Sequence, residues 1–111
     1  MQAVGACIRG PGAPSVNELD ALTRNYRTAF LRYLPRRQEA ALTRGYELGR
    51  GAVTAGVSML DLTRIHHEIL LDVLRDTRPE EIIDVASAAA EFLLEVLAIY
   101  DMTQRRLLSG G

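Results

Sequence analysis

Residues 82–106 read IIDVASAAAEFLLEVLAIYDMTQRR and contain neither proline nor glycine. On a helix, Ile82, Ala86, Ala89, Leu93, Val96 and Tyr100 alternate steps of four and three, the spacing of a seam turned towards neighbouring helices. Ile83, Ala90, Leu94 and Leu97 form a second stripe, and Val85, Ala88, Phe92 and Ile99 a third. The segment from Val85 to Ile99 is therefore apolar nearly all round. Upstream, Thr77 is an N-cap candidate, Pro79 suits a first turn, and Glu80 and Glu81 place negative charge at the positive end of the helix dipole. Downstream, Arg105 and Arg106 sit near the negative end, ahead of Gly110 and Gly111. The expected helix reaches about Leu108 and, at about 1.5 Å per residue, is more than about 40 Å long.

A terminal helix of a small bundle cannot bury every face inside its own chain. Contiguous apolar surface on soluble proteins marks interfaces, and a twofold homodimer covers such a surface with a copy of itself. A dimer interface through Val85, Ala89, Phe92, Val96 and Ile99 is expected.

Working towards the N-terminus, Ser58 and Asp61 make a capping-box-like start to a helix that carries Leu62, Ile65, Ile69 and Val73 to about Arg75. Gly56 fits the left-handed position after a preceding helix. That helix spans about Arg37 to Thr54, with Leu42, Tyr46, Gly49 and Val53 on one face. Gly45, Gly49 and Gly51 each weaken it by about 1 kcal/mol relative to alanine, so tertiary packing has to hold it. Ser15 and Glu18 form a capping box for a first helix, whose Leu19, Leu22, Tyr26, Phe30 and Tyr33 share a face up to the breaker Pro35. The fold class is all-α, a four-helix antiparallel bundle with a long C-terminal helix. Residues 1–14 read as a flexible leader and 15–109 as a single domain.

At 111 residues the chain supports one core. Apolar residues make up 48% and charged residues 24%, which indicates neither disorder nor a membrane protein. A net charge of −1, with both signs interspersed, lacks the basic field that binds a phosphate backbone, so nucleic acid is not an expected partner. No apolar run approaches the ~20 residues of a membrane span, and residues 1–14 show no secretory pattern, so a cytoplasmic protein without membrane contact is expected. Cys7 alone excludes an internal disulfide and a multi-cysteine metal site.

His66, His67 and Glu68 are consecutive, point about 100° apart on a helix, and do not converge on one metal. His66 shares the Leu62, Ile69 and Val73 face, the place of a buried imidazole satisfied by a carbonyl or carboxylate. His67, on the outer side and followed by an acid, is the position a phosphotransfer bundle would use. No nucleophile, base and orienter stand out and no strand carries a phosphate loop, so no catalytic residue, cofactor or metal is expected. A ligand-sensing bundle is a further alternative.

Tyr26, Phe30 and Tyr33, then Tyr46-Glu47-Leu48-Gly49-Arg50, then Leu60 through His66, then Phe92-Leu93-Leu94-Glu95-Val96 with Tyr100 and Met102, resemble the N-terminal domain of the RsbU-type phosphoserine phosphatases. The resemblance runs from about Ser15 to Arg106. It implies an all-helical homodimer that recruits a serine/threonine switch kinase of the RsbT type. That contact would control a metal-dependent phosphatase domain in sigma-factor partner switching in bacteria. The sequence departs from the family in carrying no phosphatase domain after Gly111, and so reads as an excised domain or a stand-alone relative. If the resemblance holds, the partner docks on helical surface left free by dimerisation. Thr43 and Tyr46 on the second helix and Ala90, Leu94 and Leu97 on the fourth are the candidates, at the steps a helix-on-face contact needs.

Overall fold

The computed structural model describes residues 14–36 and 39–110, and the expected leader and Cys7 lie outside them apart from Pro14. Four helices follow one another: α1 (Val16–Arg36), α2 (Glu39–Thr54), α3 (Met59–Arg75) and α4 (Ile82–Gly110), with a 3-10 turn at Pro79–Glu81 before the last. Among the described residues there is no strand.

Local chemistry sets most of the boundaries. Both arms of the first capping box are made: the Glu18 amide donates to Ser15 Oγ at 3.1 Å and the Ser15 amide to Glu18 Oε1 at 3.0 Å. Pro35 lies one residue before the end of α1 and stops the helix without kinking its middle. At the end of α2, Gly56 takes φ 79°, its amide donates to Val53 and the Val57 amide to Ala52, the paired bonds of a Schellman motif. Ser58 Oγ then accepts the Asp61 amide at 3.0 Å to open α3. The start of α4 differs from the sequence expectation. The Thr77 hydroxyl turns back to the Val73 carbonyl at 2.7 Å, closing α3, and Arg78 takes the cap position of the 3-10 turn without a side-chain cap. A hydroxyl one turn beyond a helix end finds the free carbonyls behind it as readily as the free amides ahead.

The core is aromatic. Tyr26 and Phe30 of α1 and Phe92 of α4 are fully buried, with Tyr33 5% exposed. The Phe92 ring lies 5.3 Å from that of Tyr26 at 85°, 5.7 Å from Phe30 and 5.6 Å from Tyr33. These are separations at which edge and face attract. The Tyr33 hydroxyl donates to Glu91 Oε1 at 3.0 Å. Between α1 and α3, the Tyr26 hydroxyl and His66 Nδ1 are 2.7 Å apart, with His66 5% exposed. The partner of the buried imidazole is thus a tyrosine, where a carbonyl or carboxylate was expected. Burial, with a smaller contribution from the charge of His67, lowers the pKa of His66 to about 4, and burial raises that of Tyr26. Arg27 of α1 bonds Asp72 of α3 at 2.8 Å, and this hydrogen bond is the main reason the Asp72 carboxyl titrates below its ordinary value.

In the expected antiparallel bundle every consecutive pair of helices would be antiparallel neighbours. That holds for α1 with α2 and for α3 with α4, but α2 and α3 barely touch, and the most extensive packing joins α2 to α4. A Cβ built on Gly45 would lie 3.2 Å from the Phe92 ring, and one on Gly49 would lie 2.6 Å from the Val96 carbonyl oxygen and 3.2 Å from Ile99 Cβ. Residue numbers rise together along the contact, so α2 and α4 run parallel, backbone against backbone. This accounts for two of the three glycines in α2. Gly49→Ala, which would ordinarily strengthen a helix by about 1 kcal/mol, is expected here to destabilise by about 2 kcal/mol through overpacking against a carbonyl that cannot rotate away. A urea midpoint equal to or above the parent's would refute that close contact.

Candidate interaction surface on the last helix

The α4 helix presents its faces unequally. Ala88, Ala89, Phe92, Val96, Ile99 and Tyr100 are buried against the other helices, and the Tyr100 hydroxyl donates to the Val57 carbonyl at 2.7 Å. Each residue turns the helix by about 100°, so Leu94 lies about 200° round from Phe92, on the side away from the core. Ile83 and Ala90 fall on the same ridge. Ile83 is 78% exposed, Leu94 is 68% exposed, Ala90 is exposed and Leu97 is half-buried at the edge.

The residues expected to form a dimer interface are placed differently. Ala89, Phe92 and Val96 are at most 1% exposed, covered by the chain's own helices, and Ile99 is 9% exposed. Val85 is half-buried. A second chain has no access to the first three in this fold. Their burial has a simple cause. With apolar residues on every side of α4, the aromatic side chains of α1 and the glycines of α2 select the inward face, and they select the Phe92 stripe.

The residues expected to bind a partner fall into two adjoining places. Thr43 and Tyr46 line a shallow depression of about 320 Å³ with Glu39, Leu42 and Glu95, where the Arg50 guanidinium stands 5.8 Å over the Tyr46 ring. Ala90 and Leu94 lie on the ridge, and Leu94 is one 100° step round the helix from Glu95. The ridge and depression together offer apolar side chains at three- and four-residue steps, edged by the carboxylates of Glu91 and Glu95.

Sequence reasoning missed a second concavity. A groove of about 500 Å³ runs between α1 and α2 over Leu22, Ala29, Leu48, Gly51 and Ala52, with Glu18, Arg32 and Arg44 on its rim. Its signal was the recurrence of small residues on both helices, which had been read only as a feature of α2. Among the described residues no group of three or more histidine, cysteine, aspartate or glutamate side chains is placed to hold a metal ion. Nor is any helix among them long and apolar enough to cross a membrane. His67 is exposed on α3.

The family described as phosphoserine phosphatase RsbU, N-terminal domain, matches residues 24–103, a span that takes in α2, α3, most of α1 and α4, and the depression beside Tyr46. The chain belongs to that family. The RsbU N-terminal domain is a regulatory domain of a signalling phosphatase, which agrees with an all-helical bundle whose distinguishing surface is an apolar ridge. No curated protein matches the chain, and no solved structure does.

Proposed function

We propose that this RsbU-type N-terminal domain is a cytoplasmic, dimeric docking module in bacterial partner switching that captures a small serine/threonine switch kinase of the RsbT type. The kinase docks on Ala90, Leu94 and Leu97 of α4 and on Thr43 and Tyr46 beside them. Its capture governs a phosphatase or other signalling output. The observation that carries this reading is the exposed ridge on α4. A core-forming helix that keeps Ile83 and Leu94 in water on its far side exposes apolar surface its own fold does not use. Membership in a family of regulatory N-terminal domains supports a protein-interaction role, and the kinase as partner is what the resemblance implies. Beyond Tyr100, the last turns of α4 leave the contact with Val57 behind and form the segment through which an imposed order can pass onward.

Leu94→Asp is expected to reduce capture of the host's switch-kinase proteins at least tenfold in a pull-down or by calorimetry, with helical content and oligomeric mass unchanged. Undiminished capture by a folded Leu94→Asp protein would remove the ridge from the proposal. Loss of helical content would show that Leu94 belongs to the core.

A further inference from the structure

We infer that the groove between α1 and α2 is a binding site for a small amphiphile with one anionic head and an unbranched apolar tail, the chemistry of a free fatty acid of medium length. The inference does not depend on the docking ridge. On α2, Leu48 and Gly51 of the groove lie about 200° and 140° round the helix from Tyr46, so a ligand here does not compete with a protein held on α4.

The floor is apolar and one wall is cut away. Leu22, Ala29, Leu48 and Ala52 line the groove, and a Cβ built on Gly51 would meet nothing within 4 Å. Unlike Gly45 and Gly49, Gly51 answers to no contact within the chain, although glycine weakens an exposed helix position. Its missing side chain keeps the groove open. The volume, about 500 Å³, is that of a small-molecule site. A helix laid from Glu18 to Arg32, about 21 Å long and about 10 Å across, takes up roughly three times that volume and would stand mostly outside.

Charge sets the direction of the ligand. At one end stands Arg32 and, level with it across the antiparallel connection at 37–38, Arg44. Glu47 lines the same end and holds Arg44 loosely, at 4.0 Å, with both side chains largely exposed. Two guanidinium groups thus face one carboxylate, and among the described residues Arg32 has no ion-pair partner. At the opposite end the Glu18 carboxylate accepts the Ser15 amide at 3.0 Å, and the described lining there holds no base. A carboxylate head therefore sits at Arg32, where a guanidinium takes it through two parallel hydrogen bonds. The tail runs over Ala29, Leu48 and Ala52 towards Leu22, ten positions from Arg32 on α1 and about 15 Å away. An extended chain advances about 1.2 Å per bond, which gives the tail about 12 carbons.

Dodecanoate is the probe, used with the full chain. Calorimetry should give one site with a dissociation constant of the order of 0.1 mM. Amide chemical shifts should move at Ala29, Leu48, Gly51 and Ala52 and stay still at Ile83 and Leu94. Dodecanol should bind more weakly, and dodecyltrimethylammonium not at all. Arg32→Gln should weaken dodecanoate at least fivefold while leaving dodecanol unchanged. Gly51→Trp, which fills the groove from an exposed position, should abolish the binding of both; if it loses helical content, the selective loss in Arg32→Gln decides alone. Absence of binding, shifts on the α4 ridge in place of the groove, or equal affinity for the ammonium amphiphile would overturn the site. Phosphatidylglycerol vesicles should not sediment the protein. Sedimentation that Gly51→Trp removes would assign the groove to a membrane surface and overturn the free ligand.

Discussion

Phe92→Ala is expected to destabilise the subunit itself, by about 4 kcal/mol, the usual range for emptying a buried aromatic site. The ring has no exposed surface and contacts Tyr26, Phe30 and Tyr33, so its removal leaves three aromatic side chains facing a void between α1 and α4. Domains of this size have about 5–15 kcal/mol of stability in total, so this one substitution consumes a large part of it. At several degrees per kcal/mol, the melting temperature should fall by about 20 °C. The contrast with an interface role is sharp. Had Phe92 faced a second chain, its truncation would yield a well-folded monomer with unchanged helical content at low temperature. Thermal melts followed by circular dichroism, together with sedimentation of the same sample, separate the two outcomes.

Acidification should weaken the fold before the carboxylates titrate. The ring of His66 stays neutral in the folded state down to about pH 4, whereas in the unfolded chain it takes a proton near its ordinary 6.5. Between these values the unfolded chain binds more protons, so stability falls as pH falls, starting near 6.5 and with the full loss reached below about 4. The gap corresponds to about 3 kcal/mol, of which roughly 2 should be visible by pH 5. Geometry supports the direction. With the proton on Nε2, Nδ1 accepts the Tyr26 hydroxyl at 2.7 Å, among the rings of Tyr26 at 5.7 Å and Phe30 at 5.8 Å. A second proton would remove that acceptor and place a charge among them. His66→Gln keeps an acceptor for Tyr26 without a titrating ring, and urea midpoints for this variant should be flat from pH 6.5 to 5. A parent protein with no slope over that interval, or a slope that survives in His66→Gln, would refute this account.

Much of this architecture is legible in the residue order because it depends on contacts between near neighbours. Ser15 with Glu18, Ser58 with Asp61 and the left-handed Gly56 are local chemistry, and each boundary falls where those residues put it. The glycines of α2 announced a close neighbour, though not that it would be α4 running parallel. What the order of residues does not encode is the rotation of α4 about its own axis. On a helix with apolar side chains on all sides, one stripe differs little from the next in transfer free energy. The choice is made by shape, through three aromatic rings of α1 and two missing side chains of α2. The same limit explains the site. Ala90 and Leu94 are exposed and Thr43 and Tyr46 share a depression, but Ala89, Phe92, Val96 and Ile99, assigned to dimerisation, turned inwards and Val85 did so in part.

The notch at Gly49 has a mechanical implication for any signal carried along α4. With the Val96 carbonyl seated where a side chain would otherwise be, small axial displacements of one rod past the other lift the backbone out of its recess and meet rising repulsion. At Gly45, one turn earlier, the nearest atoms belong to the Phe92 and Val96 side chains, so the carbonyl has its seat at Gly49. The two rods are thereby keyed to each other at that level, and a push on one is handed to the other as a rigid displacement.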